Sequence, residues 1–83
     1  MEKQLTAAEA RKKLLSVWNK CEFGVKERVK NLHSHRTIHY ILTTENYSNV
    51  DKVLEIIESI KEQSKEVKME AAQMDKTIQE TLA

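Results

Sequence analysis

The stretch VDKVLEIIESIKEQSKEVKMEAAQMDKTIQET, residues 50–81, decides the fold that this sequence predicts. Ten of its positions follow an unbroken 3-4-3-4 spacing, and eight of those ten are apolar. The ten are Val50, Val53, Ile57, Ile60, Ser64, Val67, Ala71, Met74, Ile78 and Thr81. This spacing corresponds to the a and d positions of a heptad, and a sustained repeat of 3.5 residues is typical of a helix that supercoils around a neighbour. The sequence therefore predicts a long helix whose hydrophobic seam needs a partner.

The N-terminal half carries a second seam, although a less apolar one. The same spacing counted backwards from Leu42 passes through eleven positions, of which four are charged or His. They are Leu42, His39, His35, Leu32, Arg28, Val25, Cys21, Trp18, Leu14, Arg11 and Ala7. If the chain folds back near residue 46, the two seams come into register, with Trp18 opposite Met74 and Arg28 opposite Ser64. The predicted fold is all-α, an antiparallel two-helix hairpin of the coiled-coil type.

The predicted core consists of eleven residues taken from the two seams. They are Leu14, Trp18, Cys21, Val25, Leu32, Val53, Ile57, Ile60, Val67, Met74 and Ile78.

The helix bounds follow from capping signals and from one glycine. Thr6 and Glu9 form a T-x-x-E capping box, so the first helix should begin there. We predict a single domain over residues 1–83, with helix one at about 7–43, a polar loop at about 44–48 and helix two at about 49–82. Gly24 leaves an alternative open, because a C′ glycine would end a helix near Phe23 and give a three-helix domain.

Composition limits the class of protein. One Gly and no Pro among 83 residues nearly exclude a β fold rich in turns, and 33% charged residues suit long solvated helices. A single Cys allows no internal disulfide. No apolar signal-peptide core follows Met1, and no apolar run approaches the roughly 18 residues that span a bilayer. The expected location is the cytoplasm, or the nucleus, with no membrane partner.

The two halves carry opposite charge. Residues 1–43 hold nine Lys and Arg against four Glu, a net +5, whereas residues 44–83 hold five Lys against nine Asp and Glu, a net −4. Antiparallel pairing within one chain sets basic against acidic helix surfaces, and this favours the hairpin over a parallel pair of like helices.

Several apolar residues lie outside the seams, mostly at e and g positions, where two-stranded coiled coils usually have charges. Such residues widen the apolar surface, as in bundles of three or four helices. We predict that they form an interface with a second hairpin, giving a four-helix bundle, or with another helical protein. The predicted interface residues are Leu15, Val29, Ile38, Ile41, Leu54 and Ile56. They could instead be ordinary surface residues or, if helix one breaks at Gly24, part of an intramolecular three-helix core.

No arrangement of chemically reactive residues predicts an enzyme or a cofactor. His35 and His39 have the i,i+4 spacing that can chelate a transition metal, but no Cys, Asp or Glu lies nearby to complete a site. Arg36 between them would oppose a cation. Cys21 is predicted to be a small buried apolar residue, because it lies on the seam. A catalytic role would need a His beside it, and the nearest His is two or more helical turns away. We therefore predict no metal and no catalytic residue.

A basic face on helix one supports a second interpretation. It is formed by Lys12, Lys13, Lys20, Lys26 and Lys30. In outline, the hairpin resembles the small bacterial and phage helical hairpins that include the RNA-binding Rop type, and this likeness implies a nucleic-acid-binding bundle that uses such a face. The leading prediction is a non-enzymatic protein–protein interaction module, either a homo-oligomer or an adaptor subunit of a larger helical assembly. The alternative is a small nucleic-acid-binding regulator.

Overall fold

Four helices account for 85% of the residues that the computed structural model describes, 5–82, and no strand occurs within that range. Helix α1 spans Ala7–Lys20, α2 spans Phe23–Leu32, α3 spans His35–Thr43 and α4 spans Val50–Leu82. The predicted all-α class is confirmed. The first helix, however, is divided into three, so the chain folds as four helices instead of two.

The breaks lie at Cys21–Glu22 and at His33–Ser34, where the backbone becomes extended, so the prediction of one continuous helix over residues 7–43 is wrong. Gly24 is not a break point, because it lies inside α2 and has no positive φ. Ser34 supplies a local reason for the second break: its hydroxyl accepts a hydrogen bond from the Thr37 amide at 3.1 Å, as an N-cap residue does.

Capping residues also start α1 and α4. The Glu9 amide donates to Thr6 Oγ1 at 3.2 Å, which confirms the predicted N-cap. The Thr6 hydroxyl donates in turn to the Glu9 carboxylate, so the carboxylate bonds the side chain of Thr6 and not its backbone amide. Before α4, Asn49 Oδ1 accepts from the Lys52 amide at 3.0 Å.

One apolar core joins all four helices. α4 packs on both α1 and α2, and α3 packs on the same two helices. Each short helix contributes two buried apolar residues, and α4 contributes four. The core residues are Ala10, Leu14, Val25, Val29, Ile38, Ile41, Val53, Ile56, Ile57 and Ile60.

Four of the six predicted interface residues belong to this core. Val29, Ile38, Ile41 and Ile56 are buried within the chain, where a partner cannot reach them unless the fold opens. The breaks explain this for Val29, Ile38 and Ile41, because each break lets the following helix turn its off-seam residues inward. Ile56 lies on the unbroken α4 and is buried because the short helices pack around that part of it. Leu15 and Leu54 remain exposed.

The predicted core seam is present only in part. Leu14, Val25, Val53, Ile57 and Ile60 are buried, and Trp18, Cys21 and Val67 pack against them while partly exposed. Leu32, Met74 and Ile78 were predicted to be buried and are exposed. Leu32 is the last residue of α2 and lies beside the second break, and the other two lie beyond the part of α4 that the short helices cover.

Among residues 5–82, one polar side chain is buried, that of His33. His33 Nε2 lies 2.9 Å from Ser59 Oγ on α4. The Ser59 hydroxyl donates to the Glu55 carbonyl oxygen at 3.0 Å, so the serine oxygen is left as the acceptor and the imidazole as the donor. This bond ties the second break to α4.

The burial of Ile56 and the exposure of Leu32 can be tested through the free energy of unfolding of two alanine variants. Ile56→Ala should lower the free energy of unfolding by about 2–5 kcal/mol, because Ile56 is 0% exposed. Leu32→Ala should change it by about 0.5 kcal/mol or less, because Leu32 is 60% exposed. Urea unfolding followed by circular dichroism measures both values. A large loss from Leu32→Ala with a small one from Ile56→Ala would support the uninterrupted hairpin instead.

We also expect Ser59→Ala to lower the free energy of unfolding by about 1–3 kcal/mol, because it leaves the buried imidazole of His33 without a partner. Thr77→Ala is the matched control. Its hydroxyl makes the same bond to the carbonyl four residues earlier, at 3.0 Å, but on the solvent side of α4. Equal effects of the two variants would mean that the bond between His33 and Ser59 adds nothing to stability.

Candidate functional site

The C-terminal half of α4 projects past the other three helices. Val67 is the last residue of α4 that is partly buried, and every residue of 68–82 is exposed. We call residues 68–82 the α4 extension. The helix of 33 residues is about 50 Å long, which accounts for most of the 56 Å long axis of the molecule.

An apolar stripe runs along this extension. It begins at Val67, just before the extension, and continues through Ala71, Met74 and Ile78 at the heptad spacing of the core residues Ile57 and Ile60. In a straight helix, residues at heptad spacing rotate around the helix axis by only about 20° per heptad. The stripe therefore stays near the side of α4 that, closer to the N-terminus of this helix, faces α1 and α2. Met74 is 65% exposed and Ile78 is 53% exposed. Val67 is partly buried against the core, whereas no other described residue of the chain covers Ala71, Met74 or Ile78.

Arg28 holds α4 at the point where the extension leaves the core. From α2, its guanidinium donates a hydrogen bond to Glu70 and lies 3.7 Å from Glu66 Oε2. The hydrogen bond and charge of Glu70, followed by the charge of Glu66, raise the pKa of Arg28. Glu66 and Glu70 are one turn apart and would repel each other without this cation. The sequence placed Arg28 opposite Ser64, whereas its ion pairs lie with carboxylates further along α4.

A shallow groove lies beside this exit point, between the end of α1 and the middle of α4. Its volume is about 330 Å³. The residues that line it are Val17, Lys20, Cys21, Ile60, Lys61 and Ser64. Burial raises the pKa of the Cys21 thiol, and the opposing effect of Lys26 is smaller. Cys21 therefore favours its neutral form, which suits an apolar lining residue better than a nucleophile.

The predicted basic face is split between two helices. Lys12, Lys13 and Lys20 are exposed on α1, whereas Lys26 and Lys30 are half-buried on α2. The Lys26 ammonium lies 5.8 Å from the centre of the Trp18 ring, and the Lys30 ammonium lies 3.6 Å from the Glu27 carboxylate. Two of the five lysines are thus engaged within the chain.

The histidines do not form a shared site. His33 is buried against Ser59, whereas His35 and His39 are exposed, and their rings stack with centroids 6.2 Å apart. Across residues 5–82, no group of three His, Cys, Asp or Glu side chains is placed to bind a metal ion.

We expect Arg28→Ala to loosen the base of the extension, because Glu66 and Glu70 would then repel each other without a cation between them. Amide hydrogen exchange in residues 66–72 should become severalfold faster, while the urea midpoint changes little. Lys30→Ala is the control, since it removes a surface ion pair of α2 that does not touch α4. Unchanged exchange in 66–72 would show that α4 needs no anchor there.

Within the part of the chain that the structure describes, no helix combines the length and the apolar character needed to cross a membrane. No protein-family model, no curated protein and no solved structure matches this chain.

Proposed function

We propose that this chain is a non-enzymatic protein–protein interaction module that binds through the apolar stripe of the α4 extension. The core of α1, α2, α3 and the first half of α4 serves as a base that holds the extension away from the rest of the molecule. The partner is a second helix that packs along the stripe as in a coiled coil, so the chain acts as an oligomerisation or adaptor subunit. We place this function in the cytoplasm, where disulfides are rare, because the single Cys of this sequence cannot form an internal disulfide.

The observation that carries this proposal is the exposure of a heptad stripe on a formed helix. A surface helix in water normally turns its apolar side chains toward a core and its polar ones outward. In the extension, Met74 and Ile78 repeat the spacing of buried residues but contact no core. Aligned apolar anchors at i, i+3 or i+4, and i+7 are the means by which one helix docks on another protein.

The anchoring of the extension supports the same proposal. Arg28 bridges α2 to two turns of α4, so the stripe begins from a fixed point. The extension is rich in good helix formers, such as Ala71 and Ala72, which lower the conformational entropy lost when a helix docks on a partner. A helix that is already formed also presents its anchors in one fixed geometry.

The nucleic-acid alternative has weaker support. The five lysines do not lie on one helix, and Lys26 and Lys30 are turned toward Trp18 and Glu27. Ordered contacts to a phosphate backbone depend on cations presented together along one surface. The protein-binding proposal is therefore the one that the geometry favours.

Site-specific photocrosslinking tests this proposal. A photoreactive amino acid is placed at position 74 in one variant and at position 76 in another, and both are expressed in the cells that naturally produce the chain. Met74 is on the stripe, whereas Lys76 is two residues further on and faces the opposite side of α4. Position 74 should give one discrete adduct and position 76 none. No adduct at position 74, or the same ladder of adducts at both positions, would contradict the proposal.

A further inference from the structure

We propose that the stripe is covered by a second copy of this chain, whose α4 extension packs antiparallel to the first. This inference rests on the proposed function and names its partner. The two-fold axis passes between Ala71 and Met74, so that Ala71 packs against the partner's Met74 and Val67 against the partner's Ile78. The axis repeats both contacts, giving four apolar layers. Ser64 and Thr81 form the polar layers at the two ends.

Side-chain size favours this direction of pairing. The antiparallel register sets the smallest stripe residue, Ala71, opposite the longest and most adaptable one, Met74, on both sides of the axis. A parallel pair would set Ala71 against the partner's Ala71 and Met74 against the partner's Met74. One layer would then be underfilled and the next crowded, at a cost to the close packing that protein interiors require.

Charge favours the same direction. The positions beside the stripe include Lys68, Glu70 and Asp75. In the antiparallel register, Lys68 lies next to the partner's Asp75, and the axis repeats this attraction. In a parallel register, Glu70 would instead lie next to the partner's Asp75, which sets like charges together twice.

The groove at the base of the extension fits the end of the partner helix. The antiparallel register brings the partner's Leu82 beside Lys61, which is one of the residues that line the groove. Leu82 is 81% exposed in the single chain, and the groove presents apolar atoms of Val17 and Ile60. The open groove thus leaves room for the partner where the register requires it.

The expected dimer is weak, because only residues 64–82 of each helix, about 28 Å, take part. Interfaces of this size fall in the small and transient class, so sedimentation should be followed from about 1 μM to about 500 μM of protein. The unaltered chain should pass from monomer to dimer within this range. Monomer at every concentration would overturn the self-pairing.

Charge substitutions then test the direction. Lys68→Glu sets Glu beside the partner's Asp75 twice and should raise the dissociation constant about 5- to 30-fold at low salt. Asp75→Lys alone should weaken the dimer similarly, and the double variant Lys68→Glu with Asp75→Lys should restore it. Lys76→Glu makes the same charge change on the opposite face and should leave the dimer unaltered. Each variant is checked for helicity by circular dichroism.

Other results would overturn the inference in distinct ways. A parallel dimer would be strengthened by Asp75→Lys, which would then pair with Glu70, and would not respond to Lys68→Glu. A monomeric chain that still gives a discrete adduct at position 74 in cells, with a mass other than twice that of the chain, would overturn self-pairing but retain the proposed function. A monomeric chain that gives no adduct at position 74 would overturn both.

Discussion

The constraint on which this structure depends is that the N-terminal half is divided into short helices, none of which is long enough to cover α4. At 1.5 Å per residue, α4 is about 50 Å long, whereas α1 and α2 are about 21 Å and 15 Å. Both pack on the same half of α4, in which Val53, Ile56, Ile57 and Ile60 are buried. Concentrating the short helices there gives a core with four helices around it. The consequence is that the other half of α4 keeps its heptad spacing without a partner inside the chain.

The sequence predicts α4 well and the N-terminal half poorly, for a physical reason. Along α4 the repeat is unbroken, so its bounds and the burial of Ile57 and Ile60 follow directly. In the N-terminal half, each break restarts the helical phase. The buried pairs are therefore Val25 with Val29 and Ile38 with Ile41, whereas one uninterrupted seam would have included His35 and His39. Three of the six residues interpreted as an external interface, Val29, Ile38 and Ile41, are core-facing residues of the broken helices, and a fourth, Ile56, is buried on α4.

The breaks were hard to predict because their local signals are weak. Glycine is the residue type that most often ends a helix, yet Gly24 lies inside α2 and has no positive φ. Neither Cys21 nor Glu22 is a residue type that favours turns. The first break is therefore determined by the burial of the separate helices and not by local conformational preference. Ser34 was the one usable signal, since a Ser hydroxyl competes for backbone amides and favours N-cap positions. The stripe itself was visible in the sequence, but Met74 and Ile78 were assigned to a core that does not extend so far.

Under the proposed function, the two halves of α4 use one heptad repeat for folding and for recognition. In residues 50–67 the seam stabilises the chain by burying apolar area within it, and this must offset the loss of conformational entropy of all four helices. In the extension, the same spacing contributes nothing to the isolated chain, and good helix formers preserve the helix instead. Arg28 of α2 contacts α4 at the boundary between its buried part and the extension, where it offsets the repulsion between Glu66 and Glu70. Because Ala71, Met74 and Ile78 bury nothing in the core, the proposed function predicts that substitutions there alter partner binding with little effect on the fold. That separation of stability from recognition is the physical basis for interpreting the extension as a binding helix.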